Sequence, residues 1–285
     1  MTLGEALTAA KEKLVLNSVP SPYLNAEVLL QRLLGVEKVF LMAHPEKELA
    51  VDVEQKYLDW VERRARGEPA QYITGWQEFW GLDFVVTPEV LIPRPETEHL
   101  VETVLKLNQA SRPVIADVGT GSGCIAVALA KEIPLARIVA IDQSEGALRV
   151  AARNAEKHGV NSQIEFKLGD LLAPLDFEGS REALDFVVSN PPYVPYRDRE
   201  SLPVEVRNFE PAGALHAEHD DPLGVYRRLI EHSSPRLRAG GYLVAEIGGG
   251  QQRAIQELFD PQGWVNLHFV DDLQSIPRVV VARRI

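Results

Sequence analysis

Cysteine is almost absent from this 285-residue chain: Cys124 is the only one. A lone cysteine excludes an intramolecular disulfide and fits a reducing compartment. No apolar run approaches the ~18 residues of a membrane-spanning helix. The opening MTLGEALTAAKEKL lacks the basic-then-apolar layout of a secretory signal. The expectation is a soluble, cytoplasmic protein. Basic charge is also scarce, with 30 Lys and Arg against 41 Asp and Glu and a formal charge of −11. Both 1–90 and 91–285 are net acidic, which disfavours a generic electrostatic grip on nucleic acid. There is no internal repeat and no low-complexity tract. What is present is an ordinary globular composition, 45% hydrophobic and 25% charged, in a chain long enough for two domains.

The first of these, residues 1–72, reads as a small helical bundle. Leu3, Leu7, Ala10 and Leu14 fall on one helical face. Ser21-Pro22 resembles a cap followed by proline at the first helical position, with Ala26, Leu29, Leu30, Leu33 and Leu34 beyond it. Asp52 is placed to cap a third helix that turns Val53, Tyr57, Trp60 and Val61 inward. Residues 73–92 change character. Aromatic and β-branched residues around Gly75 and Gly81 predict a β-hairpin linker, with Trp76, Phe79, Trp80 and Phe84 as its core. The stretch Ile92-Pro93-Arg94-Pro95-Glu96-Thr97-Glu98 stiffens the chain and opens the next helix.

From residue 93 to 285 short apolar runs alternate with helical patterns. VIADVG, RIVAID, IEFKLGD, LDFVVSN, YLVAEIG, VNLHFVD and RVVVARR are the strands, and the pattern predicts an α/β, doubly wound, mostly parallel sheet covered on both faces. The last two runs have no helix between them, so a final hairpin would put an antiparallel terminal strand at the sheet's end.

Open sheets of this kind bind ligands beyond the carboxyl ends of their strands, and four successive strand ends here carry polar chemistry. The first leads into Gly119-Thr120-Gly121-Ser122-Gly123. This is neither a dinucleotide fingerprint, because position 124 is Cys124, nor a phosphate-binding Walker loop. It suits a nucleoside-like ligand without phosphates, unless it is only a tight turn. The second ends in Asp142, an acceptor for ribose hydroxyls or, alternatively, a helix cap beside Ser144-Glu145. The third ends in Asp170 and Leu171, an acid for an exocyclic amine and a side chain for a ring, or an ordinary turn.

The fourth ends in Asn190-Pro191-Pro192-Tyr193. Two prolines fix the backbone at the ligand edge. Asn190 offers a side-chain carbonyl and Pro191 a backbone carbonyl, with no proline N–H to compete. Two converging acceptors suit a substrate NH₂ group, and Tyr193 adds a flat face. Read alone, this is an Asn-Pro turn; the ordered series of four strand ends is what favours a site. Elsewhere, Cys124 reads as a packed small residue, and Glu246 with Gly248–Gly250 as a strand-to-helix turn. His216, His219, Asp220 and Asp221 have the chemistry of metal ligands but read as a solvated loop, so no metal is expected.

Taken together these residues resemble a class I S-adenosylmethionine-dependent methyltransferase, and with the linker they resemble the release factor glutamine methyltransferase family. The matching stretches are EPAQYITGWQEFWGLDF, VLIPRPETEHLVE, DVGTGSGCIAVALA, SNPPYVP, EVRNFEP and DDLQSIPRVVVARR. ALHAEHDDPLGVY departs from the family's shorter turn. The resemblance implies methyl transfer from S-adenosylmethionine to the side-chain amide nitrogen of the glutamine in the Gly-Gly-Gln loop of peptide chain release factors. By position it implies that Gly119, Thr120, Gly121, Ser122 and Gly123 line the methionine moiety, Asp142 binds the ribose, and Asp170 and Leu171 flank the adenine. Asn190, Pro191, Pro192 and Tyr193 would hold the substrate amide, with Asn190 also beside the cofactor. The helical domain would recognise the protein substrate, with no direct nucleic-acid or membrane partner. The alternatives are glutamine methylation of a ribosomal protein and adenine-amino methylation of nucleic acid, which shares Asn-Pro-Pro-Tyr. A non-catalytic cofactor-binding module and an NAD-dependent oxidoreductase fit the motifs less well.

Overall fold

A capping box opens the first helix: the Thr2 hydroxyl accepts the Glu5 N–H at 3.2 Å, and the Glu5 carboxylate accepts the Thr2 N–H at 2.8 Å. The computed structural model describes residues 1–175, 183–217 and 220–285. Two units form within it: Met1–Trp76 with Pro203–Phe209, and Gln77–Leu202 with Glu210–Ile285.

The first unit is helical, with α1 (Leu3–Leu16), α2 (Pro22–Leu34), α3 (Lys38–Ala43), α4 (Val51–Ala65) and α5 (Ala70–Thr74). Its core is Leu3, Ala10, Leu14, Leu29, Leu30 and Tyr57 with their neighbours, so the apolar faces read from the sequence are the buried ones. Pro22 does start α2, although Ser21 makes no side-chain cap bond. Asp52 is not a cap. Ala50 holds that position and Asp52 lies in the first turn of α4, where its charge favours the helix N-terminus. Arg64 is buried, and its guanidinium bonds to Asn25 Oδ1 at 2.7 Å, the Glu68 carbonyl at 3.0 Å and Glu205 at 2.6 Å. That ion pair holds the segment 203–209, most of which is a short helix, within this unit.

The second unit begins at Gln77, inside β1 (Trp76–Phe79), which forms a hairpin with β2 (Leu82–Val85); the Phe79 and Phe84 rings meet edge to face and are fully buried. A single 3₁₀ turn, Pro95–Thr97, leads into α6 (Glu98–Leu107). Then follow β3 (Val114–Val118), α7 (Cys124–Glu132), β4 (Arg137–Asp142), α8 (Glu145–Lys157), β5 (Ile164–Leu168) and β6 (Leu184–Ser189). After α9 (Val204–Phe209), which belongs to the first unit, come α10 (Ala212–Leu215), α11 (Gly224–Ser233), β7 (Leu237–Glu246), α12 (Gln252–Gln256), β8 (Trp264–Asp271) and β9 (Pro277–Arg284).

All seven expected strands join one sheet in the order β5-β4-β3-β6-β7-β9-β8. The first five in that order are parallel, and β9 runs antiparallel to both neighbours. The antiparallel strand is thus the last in sequence but not the last in space. It lies between β7 and β8, because a hairpin strand that also pairs with β7 buries its Val279–Ala282 run on both faces. One apolar cluster joins α6 and α7 to the sheet, and a second joins α11 and α12 to its other face. Strand order reverses at β3 and β6, the position where such sheets open a ligand crevice. Val118 pairs with Ser189, so the glycine loop and Asn190 leave the sheet at the same level. Among the described residues no helix is long and apolar enough to cross a membrane.

Candidate active site

The turn after β3 is held from three sides. Gly119 and Thr120 donate their N–H groups to the Ile141 carbonyl at 2.8 and 3.0 Å. Gly121 N–H donates to Asp142 Oδ2 at 2.9 Å. The fully buried Asn154 of α8 donates to the Ser122 carbonyl at 2.8 Å, and pairs with both the N–H and the C=O of Val85 in β2. Gly119 and Gly121 have φ of +72° and +54°, and a Cβ on either would meet no atom closer than 4.0 Å. Their backbone therefore faces open space. Gly123 differs: a Cβ there would lie 3.0 Å from Ala151 Cβ, so this glycine serves the approach of α8.

Asp117 stands at the end of β3 with no exposed surface. Thr120 Oγ1 donates to its Oδ2 at 2.7 Å, while Oδ1 has no hydrogen-bond partner among the described residues. Burial pushes its carboxyl up to about 7, against the opposing pull of the Thr120 hydroxyl and the Ala126 N–H, and the nearby Asp142 adds to the rise. Asp142 does not cap α8. Ser144 does, accepting the Ala147 N–H at 3.1 Å, while Asp142 takes the Gly121 and Ser144 N–H groups on its two oxygens. It is therefore a brace for the glycine loop as well as an anion beside it.

Asp170 lies next to that brace, and both of its oxygens are already engaged: Oδ1 accepts Gln143 Nε2 at 2.8 Å, and Oδ2 pairs with Arg228 of α11. An amine donor arriving here would share this acid with Gln143 and Arg228. Leu171 follows it, buried, with φ of +48°. A depression of about 510 Å³ borders Asp170, Phe166, Leu168 and Pro174.

The run after β6 brings in residues the sequence reading had not connected. Asn190 Nδ2 donates to Thr97 Oγ1 at 3.0 Å, and Thr97 Oγ1 donates to Glu246 Oε2 at 2.6 Å. Tyr193 Oη donates to the other oxygen, Glu246 Oε1, at 3.3 Å. Burial raises the Glu246 carboxyl to about 7 and the Tyr193 phenol well above its ordinary range. For Glu246 the Thr97 and Tyr193 hydroxyls oppose the rise, Glu96 adds to it and Arg278 lowers it. Glu246 is the last residue of the buried β7 and not part of the expected strand-to-helix turn, and its side chain points into this network. Arg94 pairs with the buried Glu210 at 2.5 Å, and Glu210 also accepts the Ile92 N–H. Within this unit, then, the Arg94–Glu98 stretch is tied to Glu210, in the chain after β6, and to Glu246 at the end of β7.

The remaining candidates lie apart. Cys124 is buried and its thiol is pushed up to about 12 by that burial, which makes it inert. Asp220 faces Arg197 and Asp221 pairs with Arg227 at 3.1 Å, while His216 packs edge-on to Tyr196. His219 lies outside the described residues. Among the described residues no cluster of three or more His, Cys, Asp or Glu side chains is placed to hold a metal.

The family model of the PrmC N-terminal domain matches residues 5–75, and that of the methyltransferase small domain matches residues 95–206. Among solved structures, the hMettl16 catalytic domain in complex with a MAT2A 3′UTR hairpin superposes with a TM-score of 0.58 at 17% identity, over 82% of this chain and 81% of that one. A ribosomal protein L11 methylase from Lactobacillus delbrueckii subsp. bulgaricus gives 0.50 at 20% identity, over 70% and 83%. These two likenesses are of fold, that of the class I methyltransferases. The curated relatives say more. A release factor glutamine methyltransferase from Koribacter versatilis is 43% identical over all of this chain and 99% of its own length, and one from Geobacter sulfurreducens is 41% identical over 99% and 96%. Likeness at that level, end to end and through both units, means that this chain belongs to the release factor glutamine methyltransferase family.

Proposed function

We propose that this chain transfers a methyl group from S-adenosylmethionine to the side-chain amide nitrogen of the glutamine in the Gly-Gly-Gln loop of peptide chain release factors. The observation that carries the reading is Asn190: its Nδ2 is committed to Thr97, which leaves Oδ1 to accept from a substrate NH₂ group. The full-length identity to relatives of that name supports the choice of substrate over a ribosomal glutamine or a nucleic-acid base.

The residues present suit that cofactor. The open backbone at Gly119 and Gly121 leaves room for a ligand at close approach. The Oδ1 of the buried Asp117, without a hydrogen-bond partner among the described residues, suits a cationic group and not a phosphate. Thr120, Ser122 and Gly123 complete that turn around the methionine moiety, Asp142 receives the ribose, and Asp170 with Leu171 borders the adenine. When bound, S-adenosylmethionine supplies a methyl group already activated by its sulfonium.

An amide nitrogen is a weak nucleophile because its lone pair is delocalised into the carbonyl. The protein's task is then placement and charge. Asn190 Oδ1 and the Pro191 carbonyl accept the two amide hydrogens and aim the nitrogen. Pro192 keeps the run rigid, and Tyr193 borders the amide plane. The same two acceptors stabilise the positive charge that develops on nitrogen as it gains the methyl group, and the proton leaves afterwards. The helical region, bounded by sequence at residues 1–72, recognises the protein substrate. The hairpin region 73–92 is the linker, and residues 93–285 carry methyl transfer without direct nucleic-acid binding.

Methyl transfer from labelled S-adenosylmethionine tests this with three substrates in separate tubes: a release factor, the same factor with its loop glutamine replaced, and duplex DNA. Label confined to the intact factor is expected. Label in DNA overturns the substrate assignment.

A further inference from the structure

A carboxamide has an acceptor on one side and a donor on the other, in nearly the same shape. If Asn190 were turned over, its NH₂ would face the NH₂ of the substrate, and two donors would meet. Something has to set its polarity, and the hydroxyl of Thr97 is the group in contact. That hydroxyl has one hydrogen, directed to Glu246 Oε2 at 2.6 Å. Toward Asn190 it can offer only lone pairs, so the atom facing it at 3.0 Å is the donor, Nδ2. The acid that orients Thr97 is itself fixed: it is 3% exposed at the end of β7, its Oε1 accepts the Tyr193 hydroxyl, and its backbone carbonyl accepts the Tyr226 hydroxyl at 2.9 Å. Thr97, also buried, is held in the 3₁₀ turn ahead of α6.

We propose that Thr97 and Glu246 are positioning residues for methyl transfer: the Glu246 carboxylate directs the Thr97 hydrogen, and Thr97 in turn fixes the Asn190 amide with Oδ1 toward the substrate nitrogen. Asn190 and Tyr193, the two polar side chains of the 190–193 run, both depend on this one acid, Tyr193 directly and Asn190 through Thr97. The inference rests on the reading that Asn190 Oδ1 accepts the substrate amide, and the experiment separates the two.

Thr97→Val keeps the shape of the side chain and removes its hydroxyl, whereas Thr97→Ser keeps the hydroxyl. Steady-state kinetics on an intact release factor, with calorimetric titration of S-adenosylmethionine, are compared for wild type, both variants and Asn190→Ala. The expected result is a kcat about 10- to 100-fold lower in Thr97→Val, Thr97→Ser within about threefold of wild type, and cofactor affinity within about twofold throughout, since a misdirected acceptor costs the transition state and not cofactor binding. A Thr97→Val enzyme with wild-type kcat beside an inactive Asn190→Ala overturns the inference and leaves the Asn190 reading intact. A fully active Asn190→Ala overturns both. Should Thr97→Val fail to fold, Thr97→Cys against Thr97→Ser decides. The thiol is close in size and a weaker hydrogen-bonding group, so a lower kcat for Cys is expected, and equal kcat values overturn the inference.

Discussion

Asp117 offers a measurable consequence in the cofactor-free protein. Its carboxyl ordinarily ionises near 3.8, and burial in the fold lifts it to about 7. Between these values the folded state holds a proton that the unfolded state has released. The folded state is therefore favoured at low pH, and this contribution is lost as pH rises through the folded value. Each unit is worth about 1.4 kcal/mol. Going from pH 5 to pH 8 crosses about two of them, so the apo-protein loses about 3 kcal/mol on this account. Glu246, raised to about 7 for the same reason, adds a similar slope, so wild type alone cannot identify the source. Asp117→Asn can. The amide oxygen still accepts the Thr120 hydroxyl, which now sits at 2.7 Å from Oδ2, while the titration disappears. Urea unfolding of both proteins at pH 5, 6, 7 and 8 is the assay. Wild type should lose about 3 kcal/mol more than the variant over that range. Parallel curves for the two proteins would refute the argument. With cofactor present the variant should also bind more weakly at pH 8, where it alone lacks the charge.

Three further outcomes are expected. Asp142→Ala removes the acceptor for the Gly121 and Ser144 N–H groups, so S-adenosylmethionine affinity measured by calorimetry should fall about 10- to 100-fold; unchanged affinity counts against the ribose role. Asn154→Ala removes the partner of the N–H and C=O of Val85 and of the buried C=O of Ser122, and should cost about 3 kcal/mol in chemical denaturation. Glu205→Ala deprives the buried Arg64 of the carboxylate it pairs with while Asn25 and the Glu68 carbonyl remain; KM for the release factor should rise and calorimetric cofactor affinity should stay unchanged.

The sheet is legible because its central strands are buried on both faces. VIADV, RIVAID and LDFVVS are near-continuous apolar runs, and such runs have few other uses. The strand-end residues were legible for a related reason: once the strands are placed, the parallel register carries Gly119 and Asn190 to one edge. Spatial order was harder. A terminal hairpin can pair with β7 through either of its strands, and nothing local in VNLHFVD or RVVVARR says that the second one does. The six-residue α3 is too short for its periodicity to stand out, and Asp52 missed the cap by a boundary shift of two positions. In the sequence Thr97 falls in a stiff stretch and Glu246 beside a glycine-rich turn. Their bonds span 93 and 149 positions to Asn190 and to each other, and no spacing rule reaches that far. The one available hint was a glutamate at the end of an apolar strand, where a charge is costly unless it is paired.

The acceptor pair proposed at Asn190 and Pro191 answers a question of chemistry and leaves one of selection. Any planar NH₂ group satisfies it, whether of a glutamine or of a base, so the choice between them has to be made by other residues. Charge contributes, because −11 overall repels a polyanion and permits a protein loop. Chain connectivity contributes as well. The segment 203–209 departs from the second unit shortly after Tyr193 and returns to it at Glu210. Its acid Glu205 is held by Arg64 among the helices of the first unit, while the next acid, Glu210, is held by Arg94 close in sequence to Thr97. One short stretch of chain thus has one end paired with Arg64 in the helical unit and the other paired with Arg94, close in sequence to Thr97, in the second unit. A change in how the helices hold Glu205 is covalently linked, within five residues, to Glu210. If the helical unit selects the substrate, as proposed, it needs no catalytic group of its own, only a stable hold on this segment.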